Sequence, residues 1–416
     1  MTSSLRLDVG ERRLPSGLTL LAVRNPGAMT FACGVVLRAD CRNETAAEAG
    51  LSNLVGDCLD EGTTRRSGDA LAEAIENLGG GLEGNTSGAM VWCPAAAAAK
   101  ALPLLVEATV RPAFPAKEVA RVRDEVLAEI IADADDPRTV AALRFRALAY
   151  GKHPFARPVK GTARTIEAFK PGDLRRFHGR WFVPDGGFVA AAGPMPTEQT
   201  LDLLAKAFGS FQRAGHARPE VIEPPLPKTR TSEHISMPRE QVHVFLGHVG
   251  VRRKHPDYYA LQVMDHVLGS GSGFTSRVPK KLRDEQGLCY SVFAGISNSA
   301  GEEPGTFTAY IGTSTAHRQK AIDVFLAEIE RLRAEPPTLE EVADVQAYLT
   351  GSFALGLDRN VNLLRHALIV RKFDLGADYI ERYPALIRAV TPADVQRVAA
   401  THLHPDRVAI VSAGAG

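Results

Sequence analysis

The sequence predicts an α+β protein of two homologous domains, each a mixed sheet with helices packed on one face. Three observations lead there: a length of 416 residues, a proline-rich break near the middle, and a repeat at constant spacing between the halves. Single cores stop growing well short of this length, so at least two domains are required. Residues 216–231 hold Pro219, Pro224, Pro225 and Pro227 among charged and polar residues, with neither a helical nor a strand period. That is the mark of an extended linker, separating domains at 1–215 and 232–416. Pro171-Gly-Asp-Leu-Arg-Arg-Phe ahead of Phe182-Val-Pro-Asp returns as Pro392-Ala-Asp-Val-Gln-Arg-Val ahead of Leu403-His-Pro-Asp. An offset of 221 residues carries the match, without a gap, to Ala192-Gly193 and Ala413-Gly414. A fixed period between halves signals duplication.

Each copy reads as a helix begun near Pro-x-Asp, a turn at Pro-Asp, and a short apolar strand, Phe188 to Ala192 or Arg407 to Ser412. Ile322, Phe325, Leu326, Ile329 and Leu332 keep the 3.6-residue period, and Thr338 with Glu341 forms a capping box that opens the next helix. Thr19 to Val23, Phe31 to Arg38, Val242 to Val249 and Thr306 to Ile311 read as strands. Mixed elements in two similar halves imply sheets with helices layered on them.

Hydrophobic residues make up 45% and charged residues 23%, the balance of a globular chain with a large core. With 49 basic and 48 acidic residues the net charge is +1, which removes the electrostatic case for nucleic acid or an anionic membrane as partner. The five cysteines, Cys33, Cys41, Cys58, Cys93 and Cys289, are odd in number and lack a CxxC pair, so they read as reduced core residues. The N-terminus has no apolar stretch for a signal peptide, and no run of about 18 apolar residues occurs. A cytoplasmic location is expected, or a periplasmic one if a leader has been removed.

The stretch Gly50-Leu-Ser-Asn-Leu-Val-Gly-Asp-Cys-Leu-Asp-Glu-Gly-Thr-Thr-Arg-Arg-Ser67 holds an amphipathic helix whose apolar face is Leu51, Leu54, Val55, Cys58 and Leu59. It resembles the inverted zincin segment of pitrilysin-like (insulinase-like) peptidases, Gly-Leu-(Ala/Ser)-His-x-x-Glu-His followed by Gly-Thr. Asn77-Leu-Gly-Gly-Gly-Leu82 resembles the turn before that family's substrate-binding edge strand, and Arg111-Pro-Ala-Phe114 leads into Val126-Leu-Ala-Glu-Ile130. The resemblance implies zinc held by two histidines one helical turn apart, with a glutamate that deprotonates the bound water. Those positions are Asn53, Gly56 and Asp57 here. Asn is a poor zinc ligand, Gly has no side chain, and Asp57 offers one carboxylate at most. The third ligand position is Glu129, which helical geometry places on the face of Val122 and Val126 as an inward carboxylate. It reads as an ordinary helix carboxylate paired with a nearby base. No metal is expected on this chain. The edge strand departs as well, with Leu82-Glu83-Gly84 where the family has Leu-Asn-Ala.

No other nucleophile or phosphate motif appears. His243 and His248 lie five apart on one strand, facing opposite ways, and read as surface or half-buried residues. His402 and His404 read as turn residues, and Leu268-Gly-Ser-Gly-Ser-Gly273 as a flexible loop. The segment after that loop, Ser276-Arg-Val-Pro-Lys-Lys-Leu-Arg-Asp-Glu-Gln-Gly-Leu-Cys-Tyr-Ser-Val292, is similar to the family's arginine-tyrosine segment, with Arg283 and Tyr290 at the family's spacing. The resemblance implies that these two side chains support a peptide held at zinc. In two-chain members one chain carries zinc and the other this pair. The expected function is therefore a non-catalytic subunit, of the processing-peptidase-like kind, in a heterodimeric zinc endopeptidase. Its partners would be a zinc-bearing catalytic subunit and a peptide or unfolded polypeptide, with homodimerisation when alone. The alternative is a purely structural homologue of the kind found in respiratory-complex cores.

Overall fold

The computed structural model describes residues 7–271, 276–289, 291–357 and 359–416. In the first sheet are β1 (Asp8–Arg13), β2 (Thr19–Arg24), β3 (Thr30–Val36), β4 (Gly81–Asn85), β5 (Gly88–Pro94) and β6 (Phe188–Gly193), in the order β1-β2-β6-β3-β5-β4. The second holds β7 (Thr231–Ser236), β8 (Gln241–Val249), β9 (Val292–Gly295), β10 (Thr306–Ser314) and β11 (Ala409–Gly414), in the order β7-β11-β8-β10-β9. With β1 set aside the two orders are the same. The pair β2/β6 is parallel, as is β7/β11, and the other neighbours are antiparallel. The repeat read from the sequence falls on the helices Pro171–Trp181 and Pro392–His402, and on β6 and β11.

The central strands β6 and β11 carry short runs rich in small and apolar residues because both of their faces are covered. Phe31, Cys33 and Val35 alternate onto one side of β3. There they join Leu102 and Leu105 of the helix Ala98–Val110, and Leu201 and Leu204 of the helix Thr197–Phe208, in one core. This is the helical layer expected on one face. A further helix, Asn360–Lys372, lies on the opposite face, where a Cβ on Gly34 would sit 3.3 Å from Leu364. In the second sheet the helix Pro137–Tyr150 packs Ala141, Phe145 and Ala149 against Phe245, Tyr310, Ala409, Val411 and Ala413.

The chain condenses into two units. One comprises the chain up to Ile130 with Pro158–Val221 and Ala354–Ile380; the other comprises Ile131–Arg157, Ile222–Phe353 and Glu381–Gly416. They differ from the contiguous segments 1–215 and 232–416 by two exchanged pieces, each bearing a helix. Periodicity reports that a helix has an apolar face; it does not report which sheet that face covers. No helix or strand is formed between Phe208 and Thr231.

Smaller expectations fare variously. All five cysteines are free thiols, with Cys33, Cys58 and Cys93 buried and Cys41 and Cys289 half-buried. The capping box forms: Thr338 N donates to Glu341 Oε2 (2.8 Å) and Glu341 N to Thr338 Oγ1 (3.1 Å). His248 is not at the surface. It is fully buried, with the rings of Phe307 and His404 tilted against it, and burial pushes its pKa down to about 4. The Gly-rich stretch is not wholly loop, because Leu268 to Ser270 continue a helical turn; 272–275 lie outside the described residues.

Candidate functional site

The short helix Leu51–Asp57 is fixed from its start. Glu44 is buried, and its carboxylate accepts from Gly50 N (3.3 Å) and Ser52 N (2.7 Å), meeting two amides that the helix leaves unbonded. Gly50, at φ +92°, crosses Gly161 so closely that a Cβ on Gly50 would lie 2.6 Å from the carbonyl oxygen of Lys160. This crossing brings Lys160 alongside the helix.

Leu51, Leu54, Val55, Cys58 and Leu59 are buried, and Asn53 and Asp57 are half-exposed. Asn53 Nδ2 donates to Asp57 Oδ2 at 2.7 Å, one helical turn on. Burial pushes the Asp57 carboxyl up to about 6, aided by repulsion from Glu129 and Asp60. Glu129, on the helix Ala116–Asp135, pairs with Lys160 Nζ at 3.0 Å. The expectation of an inward Glu129 is corrected here. Its side chain is 59% exposed, because the stripe of Val119, Val122 and Val126 continues to the core through Leu127 and Ile130 and leaves Glu129 on its outer flank.

Gly56 fills the general-base position, and β4 leaves it no room. A Cβ there would lie 2.5 Å from the carbonyl carbon of Asn85, closer than such atoms approach. Gly84, which stands where the family's edge strand has Ala, faces it from β4. The residues present do not fit a zinc ion. One amide is bonded to one carboxylate, the other carboxylate is charge-balanced by an ammonium, and main chain abuts the remaining position. Lys160 and the Gly56/Gly84 contact gave no sequence signal of their own, although the loss of Glu at 56 and of Ala at 84 was visible as two separate departures.

The arginine-tyrosine segment lies in the other unit. It begins on Arg277, whose Nε and Nη2 bond both carboxylate oxygens of Glu341 at 2.7 and 2.9 Å. Arg283 follows in the helical turn Lys280–Glu285. Its side chain is 27% exposed, Nε donates to Asp284 Oδ1 (2.9 Å), and its carbonyl accepts from Gly287 N (3.1 Å). Tyr290 lies outside the described residues.

Two like-built α+β units, with a motif-bearing helix stripped of its histidines, define a peptidase-like protein without the metal-binding residues. Residues 19–163 match the family described as Insulinase (Peptidase family M16), and residues 168–349 match Peptidase M16 inactive domain. The chain belongs to this M16 family, as a homologue lacking the catalytic motif. Similar relatives include an uncharacterized zinc protease of Streptomyces coelicolor, 27% identical over 401 residues that span 93% of this chain and 85% of the relative. Another, of Mycobacterium tuberculosis, is 29% identical over 83% of this chain and 79% of its own length. Among solved structures, a peptidase M16 inactive domain from Pseudomonas fluorescens has a TM-score of 0.91 at 24% identity, covering 99% of both chains. A protease from Helicobacter pylori has a TM-score of 0.88 at 18% identity, over 98% of this chain and 99% of that one. Among the described residues, no helix is long and apolar enough to cross a membrane.

Proposed function

We propose that the chain is the non-catalytic subunit of a heterodimeric zinc metalloendopeptidase. It binds peptide or unfolded polypeptide and supports hydrolysis at its partner's zinc through Arg283 and Tyr290. The observation that carries this reading is an asymmetry: the metal positions of one unit are Asn53, Gly56 and Asp57, yet the other unit keeps arginine and tyrosine seven residues apart. A phenol can donate to the oxyanion of a tetrahedral intermediate, and a guanidinium can hold the neighbouring carbonyl. The two-point pair between Arg277 and Glu341 anchors the start of the segment, which suits a mount for such groups.

The test is reconstitution with a subunit bearing His-x-x-Glu-His, read with an internally quenched peptide. This chain alone is inactive and the mixture cleaves. Tyr290→Phe leaves assembly intact and lowers turnover by roughly a hundredfold; Arg283→Ala raises KM, since its contact exists in the ground state too. Full activity with both variants would leave the purely structural homologue as the reading.

A further inference from the structure

We propose that His255, Asp257 and His402 form a binding site for a divalent transition-metal ion of the zinc class, in the second unit and separate from the family position. One ligand atom from each of these side chains lies within 4.8 Å of the others. His402 Nε2 is 2.7 Å from Asp257 Oδ2, and His255 Nδ1 is 4.0 Å from the same oxygen. A metal about 2.0–2.2 Å from each donor spans ligand pairs up to about 4 Å apart, so side-chain adjustment alone closes the site.

Rigid elements hold the three residues. His255 and Asp257 flank Pro256 at the entry to the helix Tyr258–Asp265, of which Asp257 is the N-cap, and His402 ends the helix Pro392–His402, which packs on it. The two rings stand perpendicular at 4.9 Å between centroids, so their lone pairs are not held parallel by stacking.

The protonation states suit a metal. His255 Nδ1 accepts from Asp257 N (3.1 Å), so this ring nitrogen is unprotonated and an entering ion takes its lone pair in place of the amide, while burial and the neighbouring His402 lower its proton affinity. Burial alone would raise the Asp257 carboxyl; hydrogen bonds from Arg397 and His402 outweigh it and keep the group ionised. An entering ion takes the place of the hydrogen bond between His402 Nε2 and Asp257 Oδ2. Arg397 Nη2 holds Asp257 Oδ1 at 2.9 Å, and Asp394 Oδ1, 3.9 Å away, offers the guanidinium a second carboxylate. Two imidazoles and a carboxylate, with water completing the shell, select zinc-like ions over magnesium or calcium.

The experiment uses the whole chain, stripped with chelator, and titrates Co2+ by visible absorption with Zn2+ as competitor. The expected result is one ion per chain, displaced by Zn2+ and not by Mg2+. His402→Gln should weaken binding at least ~10-fold, with a circular dichroism spectrum unchanged from the parent, and His255→Gln should do likewise. Asp57→Asn and Glu129→Gln should leave binding unchanged. No cobalt bound, binding untouched by both histidine variants, or binding lost in Glu129→Gln would each overturn the proposal. The peptidase reconstitution is a separate readout and does not bear on it.

Discussion

Gly56 and Gly84 pass each other with no space for a side chain on either. A Cβ on Gly84 would lie 2.1 Å from the carbonyl oxygen of Gly56. The vacated general-base position is therefore occupied by main chain. In an open helix, Gly→Ala gains up to about 1 kcal/mol. Here Gly56→Ala should instead cost ~1–3 kcal/mol as overpacking, seen as a lower urea midpoint at unchanged slope. Asn53→His, Gly56→Glu and Asp57→His combined should then destabilise the chain without creating a peptidase. A more stable Gly56→Ala variant would show that the contact is not that close.

Asp57 sets a dependence on pH. Its folded pKa, about 6, lies above the ordinary value of 3.8, so the folded state holds the proton over that interval. Stability therefore falls as pH rises from about 4 to about 6, and stays lower above it. Asp57→Asn, whose carbonyl can still accept from Asn53, should melt above the parent at pH 7 and together with it at pH 4. Equal melting temperatures at both would remove the effect.

The pair Arg277–Glu341 acts in the opposite sense. The hydrogen bonds from Arg277 come first in holding the Glu341 carboxyl down at about 2, below the ordinary 4.5. A depressed carboxyl contributes stability that is present above pH 4.5 and is lost as pH falls toward 2. The pair is partly exposed, so the contribution is small, on the order of 1 kcal/mol. Glu341→Gln should lower the melting temperature at pH 7, and the gap should narrow between pH 5 and 3. It should also speed amide exchange over 277–285, which a surface pair with no anchoring role would not do.

Asn360 ties its helix to the first sheet. Its Nδ2 donates to Thr30 O (2.6 Å), its Oδ1 accepts from Asn25 Nδ2 (2.9 Å), and the residue is buried. Asn360→Ala leaves those partners short of a bond and should cost ~1–3 kcal/mol, measured by chemical denaturation.

What the sequence made legible was local. Proline opening the helices at Pro171 and Pro392, the Pro-Asp turns that follow and the apolar runs after them are all signals within a few residues, and they located two like topologies. The loss of the metal motif was legible in the same way, as residue types at set positions. What escaped reading was set by distant partners. Glu129 kept the helical phase of Val122 and Val126, but so did Ile130, and only the packing shows that Ile130 takes the core side. Lys160 reaches Glu129 only through the crossing of Gly50 and Gly161, and Arg277 finds Glu341 sixty-four residues on. His402 was read with His404 as part of a turn, whereas its partner is Asp257, 145 residues away in the chain.

The helix Pro137–Tyr150 comes from the first half of the sequence and covers the second sheet, whereas Asn360–Lys372 comes from the second half and covers the first. A lone copy of the repeat would have a bare sheet face and an apolar helix with nothing to bury it. Two copies trading these helices would satisfy both needs, which is how swapped dimers arise. The present chain carries that barter in covalent form. Cleavage between residues 216 and 231 should therefore yield fragments that stay unfolded apart and recover structure only when mixed.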